Sequence, residues 1–166
     1  MKGAILEKGE KYYTFLSKIF SAIDNAQKNY NWLITDCECY PQSVEIDELL
    51  SKEYCWLSGE KLSKIVETED FQWIWAVLSG FNKDITLEEV LKSELPFVVE
   101  NGARFWRNPI SLQHPLASIE IVPCDSTRVF LISNDDEIIE RFRSAFPLSE
   151  DLETHNGRIK WDDAKR

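Results

Sequence analysis

Cys37-Glu38-Cys39 is the one place in this chain where two soft metal ligands stand two residues apart. On a strand, alternate side chains point the same way, so both thiols could reach a single ion. A closed zinc site takes four ligands, usually as pairs spaced two to four residues apart. No second close pair exists, and His114 and His155 lie far apart in loop-like sequence. The triplet therefore reads as core-facing thiols, and no metal site is expected. Cys124 with His114 offers a thiol and a base, but neither histidine sits in a motif that marks it as catalytic, and no glycine-flanked serine elbow is present. The six glycines are scattered and none forms a run before a helix, which argues against a phosphate cradle. Arg104, Trp106 and Arg107 form one small basic-aromatic cluster, suited to an anion or to pairing with nearby acids. No catalytic residue and no cofactor follow from these patterns, and an enzyme is not expected.

Acid is the more informative chemistry. The pairs Glu88-Glu89 and Asp135-Asp136 fall in the first turns of expected helices, where negative charge complements the macrodipole. The stretch from residue 32 to residue 56 is different. Asp36, Glu38, Glu45, Asp47, Glu48 and Glu53 are set against one base, Lys52, and Trp32, Tyr40, Tyr54 and Trp56 interleave with them. Interfaces are enriched in aromatic anchors, and flanking charge steers an oppositely charged partner. These ten residues, Trp32, Asp36, Glu38, Tyr40, Glu45, Asp47, Glu48, Glu53, Tyr54 and Trp56, are the expected partner-binding set. The competing reading makes the tryptophans core and the acids a wet face.

The whole chain shares this bias. Of 166 residues, 29 are acidic and 19 basic, giving a net charge of −10 and a pI near 4.7. Phosphate contacts need clustered Lys and Arg, so direct nucleic-acid binding is not expected and a basic protein is the natural partner. A hydrophobic fraction of 43% is ordinary for a folded domain and argues against disorder. The N-terminal apolar run is too short for a signal peptide, and no stretch reaches membrane-spanning length, so the expectation is a cytoplasmic protein without a membrane partner. Four cysteines suffice for two disulfides, but a chain of this length needs no staples and free buried thiols fit a reducing compartment.

These side chains need elements to position them. Residues 2–8 alternate weakly and predict a first strand. Tyr12, Phe15, Leu16, Ile19, Phe20 and Ile23 recur at helical spacing, predicting a helix over 10–26. Residues 30–40 predict a strand with Trp32 and Ile34 on the face of Asp36 and Glu38, and Leu33, Thr35, Cys37 and Cys39 on the other. A short acidic helix over 43–51, a strand over 53–58 and a helix over 60–67 follow. The run 71–81 is apolar on both faces, as a covered central strand requires. Thr86 with Glu89 has the capping-box pattern and opens a helix to about Ser93. One short strand and an irregular loop are expected over 97–116. Residues 118–122 and 129–132 flank a polar turn at Asp125-Ser126 and predict a hairpin. Asn134 is the expected cap of a helix over 135–145. The sum is an α+β fold: a single domain over 1–152 with a mixed, mostly antiparallel sheet and helices packed on it, then a polar tail over 153–166.

Met1-Lys2-Gly3, the Tyr30-Asn31-Trp32-Leu33-Ile34 strand and above all residues 119–147, followed by Ser149-Glu150-Asp151-Leu152, resemble a family of small uncharacterised proteins of Bacillus-type bacteria. The likeness covers residues 1 to about 155 and implies a fold but no catalytic residues. More loosely, the size, acidity and lack of catalytic machinery resemble the cytoplasmic immunity proteins of bacterial toxin systems. That resemblance implies a protein that binds and neutralises a cognate toxin domain, such as a basic nuclease. The alternatives are a small-molecule-binding or enzymatic domain with a pocket on the Trp-rich sheet and the loop over 101–116, and a structural or regulatory subunit dimerising through a sheet edge. The sequence leaves the oligomeric state open.

Overall fold

The computed structural model describes residues 1–98 and 102–159. Seven strands are present among them: β1 (Lys2–Leu6), β2 (Tyr30–Cys39), β3 (Tyr54–Ser58), β4 (Trp73–Asn82), β5 (Ile119–Cys124), β6 (Arg128–Ser133) and β7 (Glu150–Asp151). They form one sheet in the order β3-β2-β4-β5-β6-β1-β7, and every pairing is antiparallel. The fold class is α+β as expected, and the sheet expected to be mostly antiparallel is antiparallel throughout among the described residues. β3 and β4 both run antiparallel to β2, so α3 (Gly59–Thr68) must carry the chain across β2 between them. Likewise α6 (Asp136–Ala145) crosses β1 to join β6 to β7.

Both crossover helices bury one stripe on the same sheet face. Leu62, Ile65 and Val66 of α3 and Ile138, Ile139 and Phe142 of α6 meet Ala4, Trp32, Ile34, Ala76, Leu78, Ile121 and Leu131 in the main core. Two shorter helices, α1 (Leu16–Ala22) and α2 (Val44–Leu50), complete that layer. The opposite face carries Leu33, Val77, Phe81, Val122, Phe130 and Ile132. It is covered by the long β4–β5 connection, which holds α4 (Leu87–Val90) and α5 (Gly102–Phe105), and by α7 (Leu152–Arg158). With helices on one side and connection on the other, β4 and β5 have no wet face, which is why their sequences do not alternate.

Several boundaries differ from the sequence reading, each for a local reason. The helix expected over 10–26 is only Leu16–Ala22. Thr14 adopts φ 65° and Phe15 bridges to Gln72 at one end, while Asp24 and Asn25 turn left-handed at the other. Asp135, not Asn134, caps α6, its carboxylate accepting from the Glu137 amide. The capping box at Thr86 and Glu89 is present, but α4 ends at Val90. No strand occurs among the described residues of 97–116; α5 lies there instead. After Asp151 the chain is helical to Arg158, with Leu152 wholly buried and Asn156 donating to the carbonyls of Phe105 and Arg107. Trp161 lies outside the described residues.

Candidate functional site

The acidic corner is built by the β2–α2–β3 connection. Midway along β2 the ladder to β4 breaks step between Thr35 and Glu38. Asp36 stands at φ 48°, a conformation Asp tolerates better than most side chains. Its carboxylate accepts from the Val98 amide at 2.7 Å, and the Thr35 hydroxyl donates to the Pro96 carbonyl at 2.5 Å. The bulge thus fastens residues 96–98 to the sheet. It also reverses the faces beyond it. Cys37 and Cys39, expected with Leu33 and Thr35, pack instead with the Trp32 and Ile34 core.

Pro41 follows the strand, and the turn is then held by Glu69, whose carboxylate accepts from the Gln42 and Ser43 amides. Ser43 caps α2 by accepting from Ile46. Ile46 and Leu50 face the core, which leaves Glu45, Asp47 and Glu48 exposed on the outer face of α2. Glu38 and Glu53 are exposed at the ends of the flanking strands, and Tyr40, 72% exposed, donates its hydroxyl to Glu38 at 3.0 Å. That bond raises the Tyr40 phenol above its ordinary pKa. Asp36, Glu38 and Glu53 also line a cleft of about 460 Å³ with Cys37, Lys52 and two rings, Trp75 and Phe97.

The ten expected contact residues therefore divide. Asp36, Glu38, Tyr40, Glu45, Asp47, Glu48 and Glu53 share this corner. Trp32 does not belong to it: the residue is wholly buried, and its indole N–H donates to the Gln27 carbonyl at 2.8 Å. Gly80 stands opposite Trp32 across β2 and β4, and a Cβ there would lie 2.5 Å from Ile119 and 3.1 Å from the indole, so the glycine lets both side chains pack closely. Tyr54 and Trp56 are half-buried on the other sheet face, packed with Leu33, Phe81 and Val90. Trp75 and Phe97 were not among the expected contact residues. Trp75 reaches the cleft because it stands opposite Glu38 in the β2–β4 ladder, a relation that only strand pairing reveals.

Cys124 and His114 are buried, and Cys37 and Cys39 are half-buried. Cys37 and Cys39 have their sulfurs 3.7 Å apart, and that contact, with burial, holds the Cys37 thiol well above the ordinary thiol range. Burial pushes the Cys124 thiol up to about 11. His114 is buried edge-on to Phe81, with Nε2 3.0 Å from the Val90 carbonyl and Nδ1 accepting from the Leu116 amide. Burial lowers its pKa, favouring the neutral ring. Among the described residues no group of three or more His, Cys, Asp or Glu is placed to hold a metal ion. All four cysteines are free.

A second polar region lies under β5. Glu120, flanked by Ile119 and Ile121, has no exposed surface. Its carboxylate accepts from the amides of Gln113, at 2.9 and 3.0 Å, and His114, at 3.1 Å, and from the Ser79 hydroxyl at 3.2 Å. Burial pushes its pKa up to about 7, while these donors and the nearby Arg104 pull the other way. Sequence reasoning missed this group because a Glu inside Ile-Glu-Ile reads as the solvent side of a half-buried strand.

Residues 1–94 match a family of proteins of unknown function, DUF2691. The chain belongs to that family. The match takes in the opening Met1-Lys2-Gly3 and the Tyr30–Ile34 strand, and it ends before the hairpin and α6 over 119–147. It therefore includes the entire β2–α2–β3 corner. No curated protein and no solved structure matches the chain. Among the described residues, no helix is long and apolar enough to cross a membrane.

Proposed function

We propose that this DUF2691 protein is an immunity-type protein, which binds a cognate basic toxin domain in the cytoplasm and neutralises it by direct contact through the β2–α2–β3 corner. The observation that carries the reading is the exposure of Glu38, Glu45, Asp47, Glu48 and Glu53 together at one corner, around the exposed ring of Tyr40. Carboxylates presented this way oppose the cations with which a nuclease grips phosphate, and they raise the encounter rate with a basic partner. Tyr40 supplies an amphipathic anchor with few rotamers to immobilise. Lys52 and Lys61, beside α2 in a neighbouring cleft of about 420 Å³ with Glu45 and Glu48, set the register of charge that a partner must match.

The test is co-purification from the native locus with the neighbouring gene product, followed by association kinetics. Glu38→Lys, Asp47→Lys and Glu48→Lys together should slow association about tenfold or more and flatten its salt dependence, with little change in dissociation. Asp36 is left intact because it holds Val98. If no neighbouring product binds and expression protects cells against no toxin, the reading fails.

A further inference from the structure

Within the β4–β5 connection lies a cavity of about 300 Å³ bounded by Ser93, Glu94, Leu95, Pro96, Arg104, Gln113 and Pro115. Gln113 is only 9% exposed, and neither its side-chain oxygen nor its side-chain nitrogen has a hydrogen-bond partner. A primary amide carries two donors and an acceptor, and leaving such groups buried and unpaired forfeits their hydration with nothing in return. Native structures keep few groups in that condition, so each asks for a partner. The backbone explains how the side chain is held there. The Gln113 and His114 backbone amides are both clamped by Glu120, which fixes the stretch of backbone that carries this side chain.

The same cavity carries one cation, Arg104, and one carboxylate, Glu94. Among the described residues neither forms a salt bridge, although each sits on an exposed part of the rim. A guanidinium takes a carboxylate by a two-pronged hydrogen bond, and a carboxylate takes an ammonium. A neutral amide between them matches a polar group that both donates and accepts. A zwitterion bearing a hydrogen-bonding side chain combines all three features at a size that a cavity near the small end of ligand sites admits.

We propose that the cavity formed by Ser93–Pro96, Arg104, Gln113 and Pro115 binds a free α-amino acid, with Arg104 on its carboxylate, Glu94 on its ammonium and the Gln113 amide on its polar side chain. The proposal is independent of the toxin-binding reading: the two regions share no residue, and one stands if the other falls.

The test is thermal shift followed by calorimetry, with the proteinogenic L-amino acids offered singly at millimolar concentration. Ligand that binds only the folded protein raises the melting temperature. One or a few amino acids with amide, hydroxyl or carboxylate side chains should bind saturably, and their N-acetyl and carboxamide derivatives should bind at least about tenfold more weakly, the loss expected when one charge-assisted contact goes. Arg104→Ala should cost a similar factor. Gln113→Leu is the decisive variant: it should abolish binding while leaving the denaturation midpoint unchanged or raised, because the amide it removes has no partner in the empty protein. Absence of binding by every amino acid, equal binding of the blocked derivatives, or a large loss of stability in Gln113→Leu would each overturn the proposal. The last result would show an amide satisfied by trapped water, with a structural role only.

Discussion

The β2–α2–β3 corner and the underside of β5 handle negative charge in opposite ways. At the corner, Glu45, Asp47, Glu48 and Glu53 stay in water, and α2 is held without them, by Ile46 and Leu50 in the core, the Ser43 cap and the Glu69 carboxylate on the preceding turn. Under β5, Glu120 has no exposed surface, and its carboxylate fastens the connection through the Gln113 and His114 amides while accepting from the Ser79 hydroxyl of β4. The first arrangement leaves charge free for a partner, because the fold does not depend on it. The second uses charge as an internal fastener and leaves none over. Position in the sheet explains the contrast: β3 is an edge strand with open surroundings, whereas β5 lies between β4 and β6 with both faces covered.

The sharpest way to break this comparison is to remove one carboxylate from each region. Glu120→Ala strands the Gln113 and His114 amides and the Ser79 hydroxyl in the interior, and should cost about 4 kcal/mol in chemical denaturation. Glu48→Ala should change stability by no more than about 0.5 kcal/mol. Equal effects would mean that Glu120 is hydrated, or that α2 leans on its charges.

A finer test uses pH. The folded-state pKa of Glu120 stands at about 7 against an ordinary 4.5, so the folded protein holds this proton more tightly than the unfolded chain does. Its contribution is therefore complete below about pH 4.5 and is lost as pH rises to about 7, a change on the order of 3 kcal/mol. His114 acts in the reverse sense: burial lowers its pKa, so its contribution is complete above the ordinary histidine value and is lost on acidification. Glu120→Gln does not titrate. Stability measured by urea unfolding should fall with rising pH in the parent relative to Glu120→Gln across that window, while the acid-side loss due to His114 persists in both. A constant difference between the two proteins across the window would place Glu120 in contact with water.

What the sequence showed of these regions follows the same division. The β5–β6 hairpin, α6 and the capping box of α4 were legible because their signals are local: alternation, a polar turn at Asp125-Ser126, a Thr with Glu three residues on. The exposed carboxylates of α2 were legible too, since a helix with Ile46 and Leu50 inward must turn Glu45, Asp47 and Glu48 outward. Trp32 was misplaced because its cover comes from α3 and β4, elements distant in sequence that alternation within β2 says nothing about. Cys37 and Cys39 were assigned to the wrong face because a bulge at Asp36 shifts the period by one, and only the amide of Val98 and the pairing with β4 reveal it. Glu120 and Gln113 were silent for the same reason, since their partners come from a connection that covers the sheet from a distance in sequence.

The smallest expected effects lie within α2 itself and decide whether its charges are truly spare. Ser43→Ala removes the cap that accepts from Ile46 and should cost about 1 kcal/mol, read as a lower urea midpoint. Glu45 and Asp47 sit in the first turn, where the helix dipole favours negative charge, so Glu45→Gln should cost about 0.3–1 kcal/mol at low salt and less at high salt. Glu48, beyond that turn, should cost nothing measurable on conversion to Gln. A graded loss, Ser43 before Glu45 before Glu48, would show that α2 is fixed by its cap and apolar face while the outermost carboxylate remains available. A loss at Glu48 as large as at Ser43 would mean that the corner spends its charge internally, as Glu120 does, and the contrast between the two regions would collapse.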